Sequence, residues 1–211
     1  MVEILEGLYS IDHSDKKDHS LETWVLKCDE DVVLIDVAMN PADLENITNE
    51  LSSFKKTWDD VKLILITHKH GDHVKNLPRV KELTNAPIKA HKLEAPLIEK
   101  AVGVKVEGLD DKETISFCGG IELIWVPGHS EGNSCYYLKS RKAIIAGDTI
   151  FGDPEGNLEV PPAKWCLDAK QATAGIKRLL SYDFQYLLLT HGKDIMEGAK
   201  EKVNELVKKT S

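Results

Sequence analysis

The chain has 211 residues, enough for one large α/β domain with a full core, and its 42% hydrophobic and 29% charged residues are those of an ordinary soluble protein. With 27 Lys+Arg against 35 Asp+Glu the formal net charge is -8. This disfavours nucleic acid as the main partner, because phosphate binding needs clustered cations. The first residues, Met1 to Glu6, are acidic and lack the charged start and apolar core of a secretory leader, and no apolar run approaches a membrane span. Cys28, Cys118, Cys135 and Cys166 show no C-x-x-C spacing, so reduced thiols in a cytoplasmic protein are expected.

In chain order, residues 2–11 and 22–27 read as strands, separated by a polar loop carrying His13 and His19. Those two histidines are expected to be incidental residues of an exposed loop. Val32 to Ile35 is a buried strand with Asp36 at its C-terminal end, where α/β sheets place functional groups. Pro41 to Lys56 is an amphipathic helix, capped by Asn40 and carrying Leu44, Ile47, Leu51 and Phe54 on one face. Val61 to Ile66 is the next buried strand, followed by a short helix from Asn76 to Leu83, a strand at Ile88 to Ala90, and a helix through Ala101. His91, just beyond that strand, is expected to be a structural histidine. Thr114 to Phe117 and Ile121 to Val126 form a hairpin over Gly119-Gly120, and strands follow at Ser134 to Leu138 and Ala143 to Ala146. Phe151 to Leu167 is irregular, and a loop that long inside a compact domain is usually functional. A helix over Ala169 to Leu180, a strand over Tyr186 to Leu189 and a helix over Ile195 to Lys208 complete the chain as a single domain of residues 1–211.

The strand at Val61 runs into His68-Lys69-His70-Gly71-Asp72-His73. Residues two apart share a face in an extended segment and not on a helix, so His68 and His70 point the same way. Asp72 continues the alternation and His73 breaks it, so one short loop serves two points in space, as a two-metal site requires. Further candidate ligands stand at strand ends beside glycine: His129 in Pro127-Gly128-His129, Asp148 in Gly147-Asp148, and His191 in Thr190-His191-Gly192. The strand ending Thr67-His68 is echoed by the one ending Thr190-His191.

The set H-x-H-x-D-H, P-G-H-S-x-G, G-D-T-I-F and L-T-H-G, in that order, resembles the metallo-β-lactamase superfamily across essentially the whole chain. The resemblance implies an α/β fold, an αββα sandwich of two packed mixed β-sheets flanked by helices, with metals at one edge of the sheets. It implies that His68, His70 and His129 hold one metal, that Asp72, His73 and His191 hold a second, and that Asp148 bridges them. The family's I-D-x-G motif stands here as Ile35-Asp36-Val37-Ala38, with alanine for glycine, and Asp36 is a candidate to orient a histidine ligand.

Two divalent ions, Zn2+ with iron or manganese as alternatives, would lower the pKa of a shared water towards about 7 and so supply a hydroxide nucleophile. Asp72 is the candidate to orient it and take its proton. The substrate expected is a small molecule with a thioester, lactone or related carbonyl, as in the glyoxalase II and lactonase branches. The helical C-terminal substrate domain of glyoxalase II has no counterpart in this sequence. A mononuclear-iron persulfide dioxygenase and β-lactam hydrolysis are the alternatives. Within the irregular segment, Lys164 and Trp165 are expected to line the substrate pocket, as a cation and an apolar wall. The oligomeric state is not set by the sequence.

Overall fold

The computed structural model of the chain describes residues 2–14 and 21–210. It divides into two compact units, Met1–Gly108 and Leu109–Ser211.

The first unit is built on a seven-stranded sheet whose spatial order follows the chain. The strands are β1 (Val2–Leu5), β2 (Leu8–Asp12), β3 (Glu22–Cys28), β4 (Asp31–Ile35), β5 (Val61–Leu65), β6 (Ile88–His91) and β7 (Glu107–Leu109). β1 to β4 pair antiparallel, while β4, β5 and β6 run parallel and so require crossovers. The crossovers are α1 (Pro41–Ser53) before β5, and α2 (Gly71–Val74) with α3 (Leu77–Leu83) before β6; α4 (Ala95–Val102) follows β6. Val32, Leu34, Ile47, Leu51, Ile64, Leu77, Val80 and Ile98 belong to one buried cluster. Each such side chain taken out of water contributes roughly 1.5–3 kcal/mol. The single strand expected over 2–11 is in fact two, because Gly7, at φ +66°, turns the chain between β1 and β2.

The second unit holds a five-stranded sheet in the order β14-β11-β10-β9-β8. Its members are β8 (Thr114–Ile115), β9 (Ile121–Trp125), β10 (Ser134–Leu138), β11 (Ala143–Ile145) and β14 (Tyr186–Leu188). The expected hairpin is β8 paired antiparallel with β9. Part of the segment read as irregular forms a two-stranded ribbon of β12 (Phe151–Gly152) and β13 (Leu158–Glu159). Its helices are α5 (Ala169–Gly175), which tightens into a 3-10 turn over Ile176–Ser181, and α6 (Ala199–Thr210). The last helix starts later than expected, because Ile195 exchanges both backbone hydrogen bonds with Leu187 and so extends the sheet edge. Ile124, Ile144, Ile176, Leu187, Val203 and Leu206 lie in this unit's core.

Two sequence expectations change here. Cys28 and Cys118 are each disulfide-bonded rather than reduced, and among the described residues Cys135 and Cys166 are free thiols. Neither cysteine stands in a spacing that marks it as oxidised, and the correction removes one ground for a cytoplasmic location. His13 is not a loop bystander: it is held by Thr23 Oγ1 at 3.0 Å and Asn46 Nδ2 at 3.3 Å, and its burial lowers its pKa. His19 lies outside the described residues. His91 is buried, and its Nδ1 accepts the Leu93 N–H at 3.3 Å. Among the described residues no helix is long and apolar enough to cross a membrane.

Candidate metal centre

In the first unit the ligand loop leaves the C-terminal end of β5. Lys69 N–H donates to Oε1 of the buried Glu94 at 2.7 Å, and His70 is extended (φ −65°, ψ 150°). His68 and His70 therefore share a face, their rings 4.6 Å apart and edge-on. The next residues wind into α2, a single helical turn that the polar loop pattern did not reveal. This turn brings the His73 ring to 4.1 Å from that of His68, and Asp72 Oδ2 to 3.6 Å from His73 Nε2.

Asp36 sits under this loop at the end of β4, 1% exposed. Its carboxylate accepts Thr67 N–H at 2.9 Å and Thr67 Oγ1–H at 2.8 Å, and lies 2.7 Å from His73 Nδ1. Because Thr67 Oγ1 donates to Asp36, it is free to accept from His68 Nδ1, 3.2 Å away. Both contacts favour the proton on Nδ1, which leaves Nε2 of His68 and His73 as lone-pair donors. Thr67 was missed by sequence reasoning; its only signal was its place between a buried strand and the first ligand. The alanine at the family's glycine position keeps a left-handed turn, with Ala38 at φ +56° and Asp36 at φ +58°. That conformation costs an L-residue roughly 1–2 kcal/mol.

In the second unit three loops converge. Asn133 Nδ2 donates to Val126 O at 3.0 Å and to Thr149 Oγ1 at 2.8 Å, tying the His129 loop to the Asp148 turn. Gly152 N–H donates to His191 O at 2.9 Å, and the Phe151 ring stacks on His191 at 5.0 Å. The buried Asp148 then faces two imidazoles, with Oδ2 3.3 Å from His129 Nε2 and Oδ1 3.4 Å from His191 Nε2. Charge-assisted hydrogen bonds run at about 2.7–2.9 Å, as the Asp36–His73 contact does. Two ligands of one tetrahedral zinc, each about 2.0–2.1 Å from the ion, stand about 3.3–3.4 Å apart. The donor set and its spacings thus fit metal ligation better than direct pairing.

A second group that the sequence did not single out is Cys166, whose Sγ lies 3.8 Å from His129 Nδ1, the ring nitrogen not facing Asp148. Burial, with the nearby Asp148 and Asp168 carboxylates, raises its pKa, so it stays a neutral thiol. Of the two predicted pocket residues, Trp165 is 41% exposed with its ring 6.2 Å from Phe151. Lys164 Nζ lies 4.4 Å over the Trp165 ring, a cation–π contact.

Residues 22–191 match the metallo-beta-lactamase superfamily, and the chain belongs to it. It is 34% identical over 96 residues to a hydroxyacylglutathione hydrolase of Ectopseudomonas mendocina, covering 45% of this chain and 35% of that protein. It is 37% identical over 92 residues to the hydroxyacylglutathione hydrolase of Rhizobium meliloti, covering 42% and 33%. The chain thus spans about a third of the length of these curated relatives. Among solved structures, a metallo-beta-lactamase from Pontibacter korlensis superposes with a TM-score of 0.80 at 19% identity, covering 98% of this chain and 97% of that one. The mixed sheets with flanking helices are those of this α/β sandwich fold.

Proposed function

We propose that residues 1–211 act as one metal-dependent hydrolase domain with a dinuclear centre of the zinc type. His68, His70 and His129 would hold one ion, Asp72, His73 and His191 the other, and Asp148 both. The observation that carries this reading is Asp148, whose two oxygens each address a different imidazole Nε2 at ligand-to-ligand spacing. It is supported within each unit by the gathering of His68, His70, Asp72 and His73 in the first and of His129, Asp148 and His191 in the second. A mononuclear-iron dioxygenase would leave Asp72, His73 and His191 without a task.

When bound, two divalent ions supply a hydroxide at neutral pH and polarise a carbonyl. Asp72 is the least buried of the carboxylates here, its side chain 31% exposed, which suits it to accept a proton from the nucleophile and pass it to the leaving group. Asp36 and Thr67 hold the His73 and His68 rings, so the ligands need no reorganisation when ions bind. Phe151 and Trp165 continue from His191 as an apolar surface, with Lys164 above it as the cation for an acidic substrate group. The likeness to hydroxyacylglutathione hydrolases supports a thioester as the scissile bond, ahead of lactones and β-lactams. The test is metal analysis of protein purified without added metal, with a hydrolysis screen of thioesters, lactones, phosphodiesters and β-lactams. Two equivalents of zinc-like metal and thioester turnover are expected. One equivalent of iron without hydrolysis would overturn the reading.

A further inference from the structure

The second unit carries a groove of about 660 Å³, within the range of small-molecule sites. Its apolar lining includes Val160, Pro161, Pro162 and Val207, and its polar lining Lys170 and Lys177 with two threonines. No carboxylate lines it, although the whole chain carries a net charge of -8. Among the described residues neither lysine is engaged in an ion pair, while Lys139, Lys142 and Lys56 elsewhere each have an acidic partner. The two lysines are seven apart along α5 and its 3-10 extension, which puts them on one side of the helix about two turns apart.

The groove also adjoins the ligand loop. Pro161 and Pro162, which line it, turn their carbonyl oxygens towards Cys166 Sγ at 3.8 and 3.5 Å. Cys166 in turn lies against the His129 ring. The start of α5 is fastened to the same loop: Leu167 N–H donates to His129 O at 3.2 Å and Asp168 N–H to Gly128 O at 2.8 Å. One side chain therefore separates the groove from a ligand histidine, and the paired prolines stiffen the wall between them.

We infer that this groove takes the non-reacting tail of the substrate, an apolar chain of several carbons ending in an anion. This rests on the hydrolase reading. The proline and valine surface desolvates the chain, and Lys170 and Lys177 meet the terminal charge. Tail binding would position the acyl group beside His129 and raise kcat as well as lower KM.

The experiment is calorimetric titration of the protein as purified with octanoate, octanol and octylamine. It is repeated on the double variant Lys170→Glu/Lys177→Glu and on Ala174→Trp, which fills the groove from an exposed position. Octanoate should bind more tightly than octylamine, lose at least tenfold in affinity on charge reversal, and be lost with octanol in the tryptophan variant. Octanoate binding that ignores both variants, or octylamine binding as tightly as octanoate, would overturn the groove assignment. The two readings fail separately. Variant-sensitive octanoate binding without hydrolysis of any thioester or lactone sinks the hydrolase reading and keeps the groove. Thioester turnover with variant-insensitive octanoate binding does the reverse.

Discussion

Asp194, three residues past His191, gives a measurable link between structure and pH. Its Oδ1 accepts the Leu189 N–H at 2.8 Å, which holds the loop that presents His191. Burial raises its pKa from about 3.8 to about 6, with the Leu189 hydrogen bond opposing the shift. A folded-state value above the unfolded one means that the folded chain prefers the protonated acid. Its contribution to stability is therefore fully present below about pH 3.9 and is lost as pH rises through about 6. A shift of about two pH units corresponds to roughly 3 kcal/mol, an upper figure for the cost of the ionised carboxylate at pH 7.5. Asparagine keeps an oxygen for the Leu189 N–H and never ionises. Asp194→Asn should thus be more stable than the parent at pH 7.5, by about 1–3 kcal/mol or a few to ten degrees in Tm, and about equal to it at pH 4. Thermal denaturation of both proteins with chelator present, so that metal binding adds nothing, measures this. A Tm difference that is the same at both pH values, or a parent more stable at pH 7.5, would refute the reasoning.

Three further outcomes are expected. A Cβ on Gly128, which stands at φ +125°, would lie 2.1 Å from Ala172 N, so Gly128→Ala should destabilise by about 3 kcal/mol or more and displace His129, read as lost metal in equilibrium dialysis. Asp72→Ala should lower kcat by about 10²–10⁴-fold while shifting stability by less than about 1 kcal/mol; near-full turnover would remove Asp72 from proton transfer. Asp36→Asn should weaken metal binding by about 10–100-fold, with His73 no longer fixed in one tautomer, and unchanged metal affinity would show that Asp36 does not orient the ligand.

What was legible in the sequence is what depends on local pattern. The buried strands β5, β9, β11 and β14 announce themselves as apolar runs, and each ends a few residues before a ligand candidate because strand ends are where an α/β sheet exposes polar groups. The two-residue spacing of His68 and His70 carries its own geometry. What was not legible depends on contacts between residues far apart in the chain. Nothing near Cys28 or Cys118 in sequence marks either as oxidised, and nothing near Cys166 points to the His129 ring 37 residues earlier. A different limit explains α2: four residues are too few to show a helical period, so Asp72 reads as continuing an extended alternation that His73 breaks.

The contrast between Asp36 and Asp148 shows why geometry must follow pattern in assigning chemistry. Both are buried aspartates at strand ends, and their local pattern, apart from the family resemblance, gives no reason to treat them differently. Asp36 accepts three short contacts, two from Thr67 and one from His73 Nδ1, which use its lone pairs in holding the loop. An anion saturated in this way has little left to offer a cation and acts through the histidine it orients. Asp148 faces two imidazole Nε2 atoms at 3.3 and 3.4 Å, longer than a charge-assisted hydrogen bond and matched to neighbouring ligands of one ion. Under the proposed reading, two buried aspartates thus divide into a group that positions a ligand and a group that serves as one, and the division rests on less than one ångström of separation.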